Sequence, residues 1–263
     1  MLVVIKGAGD LASGIALRLR HSKIDVVMTD LPVPLAVRRT VAFSEAVRLG
    51  STVVEDVKAE RAATAEEARD CLLRGVIPVL ADPEAKIISE LKPEVVVDAI
   101  LAKRNTGTTP DDAKLVIGVG PGFTAGKDCH TVIETKRGHT LGRVIWDGSA
   151  IPNTGVPGNV GGETIRRLIK ATRAGIFHPE KNIGDIVKEG ERVGNVDGEP
   201  VYAQTGGKIR GLLQDGVPVT KGMKSGDVDP RGTSVDHLTV SEKALAIGGG
   251  VLEAILSYAG DRL

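Results

Sequence analysis

The sequence is poor in aromatic side chains. Three Phe, two Tyr and one Trp occur among 263 residues, too few to build a stacking platform for nucleobases. Cysteine is almost absent as well. Cys71 and Cys129 form neither a disulfide framework nor a CxxC pair, so no metal site and a reducing cytoplasm are expected. Net charge is lacking too. The 34 Lys and Arg stand against 34 Asp and Glu, which removes the electrostatic argument for nucleic acid or a membrane surface as a partner. No apolar run approaches the roughly 20 residues of a membrane span. The N-terminus reads straight into a strand, without the basic segment and apolar stretch of a secretory signal.

Glycine is abundant, with 33 residues, which implies many turns and close backbone approaches. The length allows two or more domains. Residues 2–6 read as a buried strand, 11–20 as a helix and 23–30 as a second strand. Residues 64–75 read as a helix with a capping box from Thr64 to Glu67 and a stop at Gly75. A strand over 76–82, a helix over 84–91 and a buried strand over 94–100 follow. Strands alternating with helices predict an α/β fold over 1–101, a Rossmann-like doubly wound parallel sheet. Residues 102–171 read as a β-rich middle segment with a glycine loop and a short helix near 163–175. Residues 233–263 read as a C-terminal helix, interrupted at the Gly248–Gly250 triplet.

Between 184 and 229 the chain repeats itself. "GDIVKEGERVGNVD" (184–197) aligns without a gap on "GVPVTKGMKSGDVD" (216–229), which predicts a small pseudo-symmetric β structure within 172–232. This pattern resembles the biotinyl/lipoyl barrel-sandwich hybrid. No lysine occurs from Val193 to Gly207, so the resemblance implies that fold and denies the swinging-arm chemistry.

The first chemistry-bearing stretch is "KGAGDLASG" (6–14). Gly7, Gly9 and Ala12 satisfy G-x-G-x-x-G/A between a strand and a helix, and Asp30 stands where an acidic residue holds a ribose. Asp10 opposes that reading, because a carboxylate at a helix N-terminus takes the donors a phosphate would want. A ligand site and a purely structural β–turn–α unit both remain open. Arg38 and Arg39 offer forked donors to a phosphate or carboxylate, against the alternative of two solvated arginines. Lys103 and Asn105 follow the strand "VVVDAI", where α/β sheets place ligand contacts.

The densest cluster is "GVGPGFTAGKDCHTVIETKRGHTLGR" (118–143). Gly120 and Gly122, with Phe123 and Thr124 beside them, form a loop whose amides can converge on an anion. Cys129, His130, Glu134 and His139 follow as catalytic candidates. An inert Cys129 and structural histidines are the competing reading.

Together "GAGDLASG", "PLAVRRTVAFSEAV", "AKRNTGT", "GPGFTAGKDCHTVIETKRGHTLGR" and "PNTGVPG" resemble one family, the selenium-dependent molybdenum hydroxylase system proteins of YqeB type. That resemblance implies an N-terminal half similar to XdhC-type factors. It implies a role as an accessory or maturation factor whose partner is a molybdenum hydroxylase apo-enzyme. The ligand it implies is a nucleotide or pterin, with molybdopterin dinucleotide or NAD(P) as cofactor candidates. The alternatives are a nucleotide-dependent enzyme, either an oxidoreductase or a sulfur or selenium transferase, and a non-catalytic scaffold. A homo-oligomer is left open.

Overall fold

Short runs of Val, Ile and Leu with no polar interruption form the centre of a large sheet, because such strands can be buried on both faces only when helices cover them. The structure is a computed structural model that describes residues 1–156 and 158–260. It divides into two units, one of Met1–Pro34, Ala42–Asn153 and Val240–Leu263, the other of Leu35–Val41 and Thr154–Thr239.

The first unit contains β1 (Leu2–Lys6), β2 (Asp25–Asp30), β3 (Ser51–Val54), β4 (Val57–Ala62), β5 (Ile77–Ala81), β6 (Val95–Asp98), β7 (Leu115–Val119), β8 (Thr124–Ala125), β9 (Thr131–Ile133), β10 (Val144–Ile145) and β11 (Gly148–Ser149). Its helices are α1 (Asp10–His21), α2 (Glu45–Leu49), α3 (Ala65–Leu73), α4 (Ile87–Leu91) and α5 (Glu242–Gly260). Nine strands form one sheet in the order β10-β9-β7-β6-β1-β2-β5-β4-β3. The seven inner strands are parallel, and β3 and β10 close the two edges antiparallel. Strands β8 and β11 form a separate pair.

One face of the sheet packs Val4, Val27, Leu80, Val96, Val116 and Val132 against Ala65 and Ala68 of α3 and Ile87 of α4. The opposite face carries α1 and α5. These two helices approach closely because glycines line their contact. A Cβ on Gly14 would lie 2.5 Å from the Ala244 Cβ, and one on Gly248 would lie 2.8 Å from the Gly14 carbonyl oxygen. A Cβ on Gly250 would collide with the Gly142 carbonyl oxygen. The strand order reverses at β1: its chain continues to β2 on one side, while β6 lies on the other.

The second unit contains β12 (Leu168–Lys170), β13 (Gly175–Pro179), β14 (Ile186–Val187), β15 (Arg192–Val196), β16 (Glu199–Tyr202), β17 (Gly207–Leu212), β18 (Val217–Val219) and β19 (Lys224–Asp229). They form two four-stranded antiparallel sheets, β12-β19-β17-β14 and β16-β15-β13-β18. Phe177, Val187, Val196, Ile209, Val219 and Val228 form its core. The sequence repeat recurs in the backbone. Gly190 and Gly222 both have positive φ, and their amides donate to Ala203 and Ala171 over 2.8 Å each. The equivalent strands lie in opposite sheets, β14 and β19 in one, β15 and β18 in the other.

The expected architecture is corrected on both counts. The sheet is mixed and does not end at residue 101, because β7, β9 and β10 join it. Their apolar runs looked like a separate β-rich segment, but they bury against the same two faces. The C-terminal part is a pair of antiparallel sheets joined by residues 35–41, in place of the expected barrel-sandwich hybrid. The short helix expected near 163–175 is a single 3-10 turn, Ile165–Arg167, followed by β12. The C-terminal helix runs unbroken through its glycine triplet, of which Gly248 and Gly250 face close neighbours; residues 261–263 lie outside the described residues.

The triplet separates two effects of adding a methyl group. A methyl group on Gly249 would have nothing within 4 Å of it, whereas one on Gly250 meets a backbone oxygen. Gly250→Ala is expected to lower stability by about 1–3 kcal/mol through overpacking. Gly249→Ala is expected to raise it by about 0.5–1 kcal/mol through helix propensity. Urea unfolding of the two variants checks this, and equal effects of one sign contradict the packing described.

Candidate functional site

Two charged residues end strands that are otherwise apolar, Lys6 in β1 and Asp98 in β6. They are register partners on adjacent parallel strands, so both side chains leave the sheet on the same face, the one bearing α3 and α4. Lys6 is 6% exposed and Asp98 1%. Thr108 bridges them. The Lys6 Nζ donates to Thr108 Oγ1 over 2.5 Å, and that hydroxyl donates to Asp98 Oδ2 over 2.6 Å. The direct Lys6–Asp98 separation is 3.8 Å. Asp98 Oδ1 accepts from the Ile100 amide over 3.1 Å.

The loop that delivers Thr108 is built by Asn105. Its side-chain oxygen accepts from the amides of Gly107 and Thr108 at 2.9 and 2.8 Å, and its Nδ2 donates to the Thr108 carbonyl at 2.7 Å. Leu101 and Lys103 hold left-handed φ angles of 61° and 63°, a conformation that side-chain-bearing residues adopt only when their surroundings impose it. The surroundings are two glycine contacts. A Cβ on Gly7 would lie 2.9 Å from the Ala99 carbonyl oxygen, and one on Gly122 would lie 2.6 Å from the Arg104 amide nitrogen.

Lys6 forms part of the lining of a cleft of roughly 810 Å³, together with Lys86, Lys92 and Lys114, the acids Glu84, Asp111 and Asp112, and Gly107. An ammonium has three donors. Lys6 gives one to Thr108, and no other acceptor lies within hydrogen-bond distance among the described residues.

The glycine loop after β1 is held differently from a phosphate loop. Asp30 accepts from the Ala8 amide with Oδ2 and from the Leu31 amide with Oδ1, at 3.0 and 2.7 Å. Both oxygens thus tie the loop to β2, and burial pushes the carboxyl above its ordinary value against those two donors. Gly9 is the N-cap of α1, Asp10 its first residue and Ala12 a buried core position. The cap expected at Asp10 therefore falls one residue earlier. Arg38 and Arg39 belong to the second unit, where Arg39 donates to the Leu212 carbonyl over 2.8 Å.

The 118–143 cluster is also held together by its own backbone. Gly120 makes room for Thr135, and Phe123 packs over Gly118 in the core. The Thr124 amide donates to Asp128 over 2.8 Å. Cys129 is fully buried, its Sγ turned to the Thr131 carbonyl at 3.2 Å, and burial pushes the thiol up to about 11. His130 Nδ1 accepts from the Val116 amide over 2.9 Å, which fixes the neutral tautomer with the proton on Nε2. Glu134 accepts from the amides of Thr135, Lys136 and Ile151, at 2.7, 2.7 and 2.8 Å. His139 is exposed. None of the four has the geometry of a nucleophile or an acid–base pair. Lys243, on the first turn of α5, does sit near Asp10, Glu134 and Arg137, and burial lowers its ammonium below the ordinary value.

No family model matches the chain. The curated "Uncharacterized protein YqeB" of Escherichia coli K12 is 53% identical over 255 residues, which cover 97% of this chain and 47% of that protein. The chain spans about half the length of the curated relative it matches. An aspartoacylase family protein from Mesorhizobium loti is 14% identical, covers 86% of this chain and 84% of its own, and has a TM-score of 0.28. A succinylglutamate desuccinylase/aspartoacylase from Rhodobacter sphaeroides is 16% identical, covers 86% and 85%, and has a TM-score of 0.27. Scores this low carry no argument about fold or activity.

These findings correct the resemblance drawn from the sequence. The relative's description names no molybdenum or selenium system. The maturation-factor reading and its selenium dependence are withdrawn. Its alternatives go with it. Sulfur or selenium transfer through Cys129 fails on the sealed, protonated thiol, and a nucleotide-dependent oxidoreductase finds Asp30 already tied to loop amides. The scaffold reading rested on the barrel that the two antiparallel sheets replace.

Lys6, Thr108 and Asp98 were missed at the sequence level, although a lysine closing "LVVIK" and an aspartate within "VVVDAI" are unusual in doubly buried strands. Thr108→Val is expected to cost about 1–3 kcal/mol, because it strands two buried charged groups without their common partner. Thr108→Ser should recover most of that loss. Chemical denaturation measures both, and a change below about 0.5 kcal/mol for the valine variant contradicts a bridging role. Cys129 is expected to resist thiol reagents at pH 8 in the native protein and to react fully once unfolded; rapid native labelling at Cys129 contradicts its sealed position.

Proposed function

We propose that the α/β unit binds a small organic anion in the cleft floored by Lys6. The observation that carries this reading is the buried Lys6 ammonium, oriented by Thr108 and Asp98 and left with two donors at the edge of an open cleft. A buried lysine with its charge only partly matched is costly to keep, and an anionic group supplied by a ligand completes its hydrogen bonds.

The lining residues narrow the ligand. Four lysines against three acids favour an anion carrying a second polar group. No aromatic side chain lines the cleft, so there is no surface on which to stack a base or a pterin. In this reading Lys6 grips the anionic group, Asp98 and Thr108 position Lys6, and Lys86, Lys92 and Lys114 draw the ligand in. A reducing cytoplasm suits the two free, buried cysteines. No helix among the described residues is long and apolar enough to cross a membrane.

Calorimetric titration with mono- and dicarboxylates and with phosphate monoesters tests the proposal. Saturable binding of at least one of them is expected. Lys6→Met should abolish it, and the rim variant Lys114→Glu, exposed enough to fold normally, should weaken it several-fold and steepen its loss with salt. Absence of binding across the series, or binding unaffected by both variants, contradicts the reading.

A further inference from the structure

The sheet face opposite the lysine cleft carries a second half-buried amine. Lys243 lies on the first turn of α5, and its two neighbours in the chain fix where it sits. Ala244 abuts Gly14 of α1, leaving no room for a Cβ there, and Glu242 pairs with Arg137 on the segment that follows β9. Lys243 is therefore placed where α1, α5 and the 134–143 segment meet. Strands β1 and β9 run in the same direction, so Asp10 and Glu134, which follow them, come from the same carboxyl edge of the sheet.

Lys243 makes no hydrogen bond or ion pair among the described residues. Its Nζ is not sealed from water, so the amine is within reach of a solute. The charges around it are engaged elsewhere. Glu134 uses both oxygens on the amides of Thr135, Lys136 and Ile151, and Arg137 is held by Glu242. On α1, Arg18 turns to the Leu245 carbonyl over 3.4 Å. Burial, and after it the Arg137 charge, favours the neutral amine over the ammonium, against the opposing pull of Asp10 and Glu134. A desolvated lysine beside a cation is a nucleophile near neutral pH. An anionic ligand does not suit this amine, because the two carboxylates repel it.

We propose that Lys243 is a carbonyl-binding amine that takes an uncharged aldehyde or ketone as an imine, between α1 and the segment following β9. The neutral amine adds to the carbonyl carbon, and a proton passes from nitrogen to oxygen to give a carbinolamine. Loss of that hydroxyl with a proton, as water, leaves the C=N bond, and no oxidant or reductant is consumed. Once protonated, the imine is a cation, whose charge Asp10 and Glu134 offset. This amine is on the other face of the sheet from Lys6 and does not depend on the anion cleft.

The test is reductive trapping on the full chain, with propionaldehyde and sodium cyanoborohydride at pH 7, followed by peptide mass mapping. Trapping at Lys243 is expected to be several-fold faster than at the exposed Lys127 and Lys221, and unfolding in urea should erase the difference. The rate at Lys243 should persist to lower pH than at Lys127, because a lowered ammonium pKa leaves neutral amine there. Lys243→Arg should remove the adduct. Arg137→Gln, which deletes the neighbouring cation, should slow trapping at Lys243 several-fold relative to Lys127. If that variant fails to fold, the wild-type pH profile decides. Glyoxylate separates the carbonyl classes, since its carboxylate should make it the slower reagent at Lys243 relative to Lys127. Trapping at Lys243 no faster than at Lys127 and Lys221, a pH profile matching theirs, a rate unaffected by Arg137→Gln, or a preference for glyoxylate overturns the proposal.

Discussion

A lysine and an aspartate placed side by side on two buried strands carry a large desolvation cost, and in the first unit that cost is met by one threonine. Lys6 and Asp98 stand 3.8 Å apart, with the Thr108 hydroxyl between them as acceptor and donor. Removing one member of a buried charged pair leaves the other uncompensated, which costs about 3–5 kcal/mol. The position of Thr108 is therefore a strong constraint. It requires the Asn105 turn, the left-handed residues 101 and 103 and the bare α-carbons of Gly7, which packs on residues 99–100, and Gly122, which packs on residues 103–104. The glycine-rich segments, which in the sequence look like phosphate loops, act here as spacers that let three backbone segments meet over one ion pair.

The same principle holds elsewhere in the first unit. Gly14, Gly248 and Gly250 bring α1 and α5 close to each other and to the loop at Gly142. A chain with six aromatic residues has few large side chains to fill wide gaps, and closing the gaps with glycine is the alternative route to dense packing. In the second unit the repeated glycines turn equivalent strands into opposite sheets, so one short pattern contributes to both layers of a single core.

Much of this was legible from periodicity. The strands ending at Lys6, Asp30 and Asp98 and the helices α1 and α3 follow apolar patterns that fix element type and, within a few residues, their limits. Adjacency was not legible. Nothing local in "LVIGV" states that β7 lies beside β6, so the sheet was expected to stop too early. Site residues failed for the same reason. His130, Glu134 and Asp30 are polar residues in apolar company, a pattern shared by catalytic groups and by side chains that satisfy remote amides. Their partners, at Val116, Ile151 and Ala8, are set by the fold. Lys6 was overshadowed by the glycines that follow it, although its charge in a buried strand was the stronger signal.

The central claim is that Lys6 is a preorganised donor with unfilled capacity facing the cleft. The most direct measurement is NMR of the protein with 13Cε-labelled lysine, assigned through Lys6→Arg and titrated with a small carboxylate or phosphate monoester. The account predicts that the Lys6 resonance shifts in a saturable way, ahead of the rim lysines and at ligand concentrations where lysines remote from the cleft stay fixed. A Lys6 resonance that stays still while the rim lysines move, or no movement at any lysine, contradicts it.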